Sequence, residues 1–156
     1  MLEISIPGHN ELQLAHLVMD YNGTLACDGR LLRGVKAALE ALSQKLQLHV
    51  ITADTFGKAA GELEGVPCKL SVLPVEAQDV GKLQYVKRLG SPRCVCIGNG
   101  RNDRLMLAEA GLGIAVVLEE GAAGETLQAA DVVCTSIGSA LGLLTNPLRL
   151  VATLRS

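Results

Sequence analysis

Apolar and polar residues alternate over residues 2–6 (LEISI) and again over 11–15 (ELQLA), on either side of Pro7-Gly8-His9-Asn10. A period of two interrupted by turn residues predicts a β-hairpin. The second arm runs into HLVMD (16–20), a more continuous apolar stretch of the kind that makes a buried strand. Leu32, Val35, Leu39, Leu42 and Leu46 then recur at helical spacing. From there the two periods take turns. Strands are predicted at 48–52 (LHVIT), 68–73 (CKLSVL), 93–97 (RCVCI), 113–118 (GIAVVL) and 131–135 (DVVCT). Helices are predicted between and after them at 57–63, 76–89, 102–110, 122–130 and 139–144. Strands separated by helices imply a parallel sheet covered on both faces. Right-handed crossovers make this an α/β protein, a three-layer doubly wound parallel sheet with the hairpin as an N-terminal arm. Ligands are then expected at the carboxyl ends of strands, near the point where the strand order reverses.

Composition narrows the function. The chain has 156 residues, 49% hydrophobic and 19% charged, so one globular domain over 1–156 is expected. Aromatics make up only 2% and the net charge is -2, which removes both the stacking platforms and the basic footprint of a nucleic-acid partner. Five cysteines and three histidines show no zinc-ligand spacing. Cys94 and Cys96 share one face of a strand, as small buried hydrophobes do. The longest apolar run, 110–118, is too short to span a bilayer, and the start Met-Leu-Glu is not a secretory leader. A cytoplasmic protein without a membrane partner is the expectation.

The informative residues are those at the strand ends. The first core strand delivers Asp20, Asn22, Gly23 and Thr24; the second delivers Thr52, with Ala53 beside it, and Asp54; the strand CVCI delivers G-N-G-R-N-D, 98–103. Each piece has an ordinary reading as turn or helix cap. Gly98-x-Gly100 follows a late strand and lacks the third glycine of a dinucleotide site, and no Walker-A Lys-Ser/Thr pair is present. Together, however, they match what a carboxylate nucleophile needs to attack phosphorus: donors and a fixed cation for the phosphoryl group, and Mg²⁺ against carboxylate–phosphate repulsion. Asp20 offers the nucleophile, and the N–H groups of Gly23 and Thr24 an anion nest. Thr52 offers a hydroxyl and Lys82 a positive charge. Asn99 and Asp103 offer oxygens for a hard cation. At a helix start, Asp103 is expected to be favoured in its ionised form by the dipole.

These residues, in this order, resemble the haloacid dehalogenase superfamily over nearly the whole chain. D-Y-N-G-T-L is similar to its first motif, D-x-D-G-T-L; Thr52 and Lys82 stand for the second and third, and G-N-G-R-N-D for the fourth, usually G-D-G-x-N-D. A-E-A-G-L-G-I-A further resembles the phosphorylation domain of P-type ATPases, and the best match is to soluble P-type-ATPase-like proteins. The resemblance implies a Mg²⁺-dependent phosphatase acting through an aspartyl-phosphate on a small or activated phosphate compound. Asp20, Asn22 and Lys82 would be catalytic. Gly23, Thr24, Thr52, Ala53 and Lys82 would hold phosphate, and Asp20, Asn22, Asn99 and Asp103 the metal. Two departures matter: the usual general acid/base is Asn22, and a usual Mg²⁺ ligand is Asn99. An amide cannot shuttle a proton, which typically costs ~10²–10⁴-fold with poor leaving groups. A weakened phosphate-binding regulatory domain, or a partner working with a separate ATPase, therefore stays open. The short spacings from Asp20 to Thr52 and from Thr52 to Lys82 leave no room for a cap domain. Capless relatives often build their pocket as oligomers, and residues 2–14 read equally as a candidate interface or an ordinary sheet edge.

Overall fold

The structure, a computed structural model, describes residues 1–53 and 57–156. Asp54 lies outside the described residues. The predicted hairpin forms from β1 (Leu2–Ser5) and β2 (Glu11–Leu14), with Leu2 opposite Leu14 and Ile4 opposite Leu12. This register puts the four apolar residues on one face, and all four are buried in the protein's own core. Leu2–Leu14 therefore turns its hydrophobic side inward against the body of the chain, not outward.

Six strands form one parallel sheet: β3 (His16–Met19), β6 (Gln47–Thr52), β7 (Cys68–Val72), β8 (Cys94–Gly98), β9 (Leu112–Val116) and β10 (Val132–Cys134). Their spatial order is β10-β9-β8-β3-β6-β7. After β3 come a two-stranded flap, β4 (Ala26–Cys27) with β5 (Arg30–Leu31), and then α1 (Val35–Leu42). The chain next builds outward through β6, α2 (Lys58–Glu62) and β7. It returns along α3 (Gln78–Leu89) to β8, on the other side of β3, and builds outward again through α4 (Arg104–Glu109), β9, α5 (Gly124–Ala129) and β10. The reversal falls at β3, so the carboxyl ends of β3, β6 and β8 surround the crevice where such sheets bind ligands.

Strand pleating sorts the core into two layers. Leu17 and Met19 of β3, with Val95 and Ile97 of β8, face Leu39 and Leu42 of α1 and Leu141 and Leu144 of α6 (Ile137–Thr145). Val18, Ile51, Cys94 and Cys96 face Tyr85 and Val86 of α3 and Met106 and Leu107 of α4. Burial pushes the Cys94 thiol up to about 11, so it behaves as a packing group.

Three differences from the sequence reading have local causes. α1 ends at Leu42, and Leu46 is buried from a following turn in which its N–H donates to Leu42 O (2.9 Å). The closing helix is longer than expected, because Ser136 caps it through a hydrogen bond from Ser139 N at 3.0 Å. A further helix, α7 (Pro147–Leu154), begins where Pro147 starts a new turn and bends the path by 101°. Among the described residues, no single helix is long and apolar enough to cross a membrane.

Candidate active site

Asp20 follows β3 directly and its N–H donates to Ile97 O of β8 at 3.0 Å, which extends the sheet by one rung and fixes the carboxylate at the crevice. The next residues close a tight turn. Tyr21 O accepts from the N–H groups of Thr24, Leu25 and Ala26 (3.2, 2.9 and 3.1 Å), and Gly23 N–H donates to Ala26 O at 2.8 Å. The N–H groups of Gly23 and Thr24, expected as an anion nest, are thus spent inside the turn. Thr24 contributes its hydroxyl instead, 3.3 Å from both Asp20 Oδ2 and Asn99 Oδ1. Gly23 has a φ of +80°, and a Cβ there would lie 2.6 Å from Asn99 Nδ2 and against the Glu120 carboxylate. Conformation and space both require glycine.

Lys82 comes up from the second turn of α3 with its side chain 1% exposed. Its Nζ reaches Asp20 Oδ1 at 2.8 Å and Asp103 Oδ1 at 2.7 Å. Burial pushes its pKa down, but the carboxylates of Asp20 and Asp103 outweigh that and hold it above the usual lysine value. The ammonium is therefore a permanent charge beside Asp20. Asp103 is fully buried. Its Oδ2 accepts from the N–H groups of Asn99 and Gly100, both at 3.0 Å, and closes the 98–103 turn. Burial and the Asp20 charge push its carboxyl up to about 6, against the pull of Lys82. The expected dipole effect is overruled: Asp103 caps a helix of only six residues, and desolvation dominates.

These groups surround a cavity of about 240 Å³ whose wall includes Asp20, Asn22, Thr52, Ala53, Lys82 and Asn99. One space thus gathers residues that lie up to 100 positions apart in the sequence. Thr52 is buried at the end of β6 with its neighbour Ala53 on the rim. Asp103 does not line the space; it acts through Lys82 and the turn. The wall also takes Gly100 and Asn102 from the G-N-G-R-N-D stretch, and two residues that the sequence reading does not name, Gln78 and Glu120. Gln78 precedes Lys82 by four positions on α3, a helical spacing that could have revealed it. Glu120 sits in the loop after β9, and no local pattern points to it. A second cavity of about 410 Å³ shares Gln78, Gly100 and Asn102 with the first and carries Arg101 and Arg104 on its wall.

The oxygens present suit a hard divalent cation. Asp20 Oδ2 and Asn99 Oδ1 converge on one hydroxyl at equal distance, and a single hydroxyl proton can serve only one of them at a time. An all-oxygen set with a carboxylate and an amide is the donor chemistry of Mg²⁺.

The strand order and the carboxylate at the central strand's end define a haloacid dehalogenase-type fold, the class that the motifs resemble. Within it, the chain belongs to the same family as the uncharacterized protein MJ0073 of Methanocaldococcus jannaschii. The two are 40% identical over 83 residues, 51% of this chain and 89% of that protein. No protein-family model matches the chain. Among solved structures, 3-deoxy-D-manno-octulosonate 8-phosphate phosphatase of Moraxella catarrhalis, in complex with magnesium, phosphate and KDO, superposes with a TM-score of 0.71 at 18% identity. The match covers 92% of this chain and 94% of that one. The catalytic domain of a CPx-ATPase, CopB-B, matches with a TM-score of 0.59 at 23% identity, over 74% of this chain and 46% of that one. At these identities the likeness is one of fold.

Proposed function

We propose that the chain is a capless, Mg²⁺-dependent phosphohydrolase in which Asp20 is the nucleophile. The observation that carries this reading is the position of Asp20: it ends the central strand at the reversal point, in one cavity with Thr52, Lys82, Asn22 and Asn99. The Moraxella catarrhalis phosphatase, whose structure holds magnesium and phosphate, supports the same chemistry for this fold. An Asp20 carboxylate oxygen attacks phosphorus, with Lys82 on Oδ1 and the Thr24 hydroxyl on Oδ2 orienting the group. Lys82 and the Thr52 hydroxyl receive the charge that spreads over the phosphoryl oxygens. Asp20, the Asn22 carbonyl and Asn99 would hold Mg²⁺, which when bound offsets the repulsion between carboxylate and phosphate. Asn99 brings an oxygen without a charge, so binding is weaker than at a site with two carboxylates. The leaving group lies toward the neighbouring cavity, where Arg101 and Arg104 suit a small anionic or activated phosphate compound.

The test is hydrolysis of an aryl phosphate with Mg²⁺, by wild type and by Asp20→Asn. Wild-type turnover that is lost in the variant is the expected result; turnover that persists in Asp20→Asn removes the assignment. Asn22 and Asn99 favour a second reading, a regulatory domain that binds phosphate without turning it over. That reading requires saturable binding of Mg²⁺ or a phosphate mimic with turnover at background, and robust turnover of any phosphate ester excludes it.

A further inference from the structure

We propose that Glu120 is the proton-transferring carboxylate of this site, in the role that Asn22 cannot fill; this rests on the phosphohydrolase reading above. Among the described residues, the carboxylates on the wall of the 240 Å³ cavity are Asp20 and Glu120. Asp20 is committed to Lys82 and Thr24. Glu120 makes no hydrogen bond or ion pair with any described residue. Its situation differs from that of Glu125, which is tied to Arg101 and Arg104 at 3.2 Å each. Glu119 and Glu120 both line a small apolar pocket behind the turn, but of the two Glu120 alone is also on this wall.

The loop that carries Glu120 is pinned to the site. Gly121 N–H donates to Leu118 O at 2.9 Å and makes the loop a tight turn. Asn99 Nδ2 donates to Gly121 O at 3.1 Å, and Ala123 N–H donates to Asn99 O at 2.9 Å. Asn99 thus clamps the loop from both its side chain and its backbone. Glu120 Oε2 packs over the Cα of Gly23, the residue that follows Asn22. The carboxylate therefore lines the same cavity as Asp20 and Asn22, the position of the missing acid. Glu120 is otherwise exposed, which lets it exchange protons with solvent.

In the first half-reaction an Asp20 Oδ–P bond forms, the ester O–P bond breaks, and the Glu120 carboxyl gives its proton to the leaving oxygen. In the second, a water oxygen bonds to phosphorus and the Asp20 Oδ–P bond breaks. The water's proton passes to the Glu120 carboxylate, restoring both groups. The net reaction is ester plus water to alcohol plus phosphate.

The test compares wild type, Glu120→Gln and Glu120→Asp with Mg²⁺ and an aryl phosphate, reading turnover, its pH profile and the steady-state level of phosphorylated Asp20. Glu120→Gln should lower turnover on the order of 10²-fold, the low end for a lost general base. It should also flatten the acid limb of the pH profile and let phosphorylated Asp20 accumulate, while Glu120→Asp restores part of each. Mg²⁺ binding, read as thermal stabilisation without substrate, should be unchanged. The proposal is overturned if Glu120→Gln turns over within about twofold of wild type with the same pH profile. It is also overturned if that variant loses Mg²⁺ binding without accumulating phosphoenzyme, because the carboxylate then serves the cation. A wild type that neither turns over nor labels at Asp20 overturns this proposal together with the phosphohydrolase reading.

Discussion

Lys82 carries more of the site than any other side chain. Its ammonium is the shared partner of two buried carboxylates, so its removal leaves two like charges facing each other without water. Breaking a buried ion pair from one side costs about 3–5 kcal/mol. Lys82→Met should lower the free energy of unfolding by an amount of that order, measured by urea denaturation at neutral pH, and should abolish phosphate turnover. A variant that remains fully stable would show that the two carboxylates relax by sharing a proton. Asn22 allows a complementary prediction. Asn22→Asp adds a second carboxylic acid to the cavity that Glu120 lines, at the position where the resembled family carries one, so turnover of alkyl phosphates should rise while turnover of acyl phosphates hardly changes. Activated leaving groups depart without a proton, and a substrate panel run on both proteins reads the difference directly.

At the scale of elements, a polar thread ties three of them together. His16 of β3 meets His49 of β6 with Nδ1 and Nε2 3.1 Å apart, and His49 Nδ1 meets the Tyr85 hydroxyl of α3 at 2.8 Å. Burial, the neighbouring His16 and Lys69 push His49 down to about 4. Between about pH 6.5 and 4 the unfolded chain therefore binds a proton at this position that the folded chain refuses, and folding stability falls as the pH drops through that window. Asp103 acts in the opposite sense. Its folded pKa, raised to about 6, makes the metal-free protein less stable as the pH rises from the ordinary carboxylate range. The two slopes oppose each other in the wild type. In His49→Gln the first should vanish and leave stability decreasing with pH across that range, as denaturation at a series of pH values will show.

The same scale explains what could be read from the chain and what could not. Asp20, Thr52, Lys82 and Asn99 stand at ends or faces of strongly periodic segments, so the fold rules alone bring them to one crevice. Glu120 and Gln78 reach that crevice through packing between segments distant in sequence, and a single chain of letters carries no such signal for Glu120. N-G-T suits an anion nest and a closed turn equally, and the letters do not show that the N–H groups of Gly23 and Thr24 donate to the carbonyls of Ala26 and Tyr21. α7 was missed because Pro147 reads as a helix stop before it reads as a helix start.

For the whole molecule, occupancy of the crevice couples to global stability, because the groups that would bind the ligand come from strands on both sides of the reversal point. A ligand at a hundred times its Kd adds about 2.7 kcal/mol to a protein that binds it only when folded. Mg²⁺ with beryllofluoride, a mimic of the phosphorylated aspartate, should raise the melting temperature of wild type and leave that of Asp20→Asn unmoved.

The bridging position of Lys82 also has a consequence in time. Asp20 ends the first core strand and Lys82 rides on the crossover helix α3, whereas Asp103 and Asn99 reach the crevice only once β8 lies beside β3. The crevice can thus be complete only once β8 has docked on β3, a contact between segments distant in sequence. During refolding, far-ultraviolet ellipticity should return ahead of the capacity to capture beryllofluoride. The lag between the two signals would time the docking of β8.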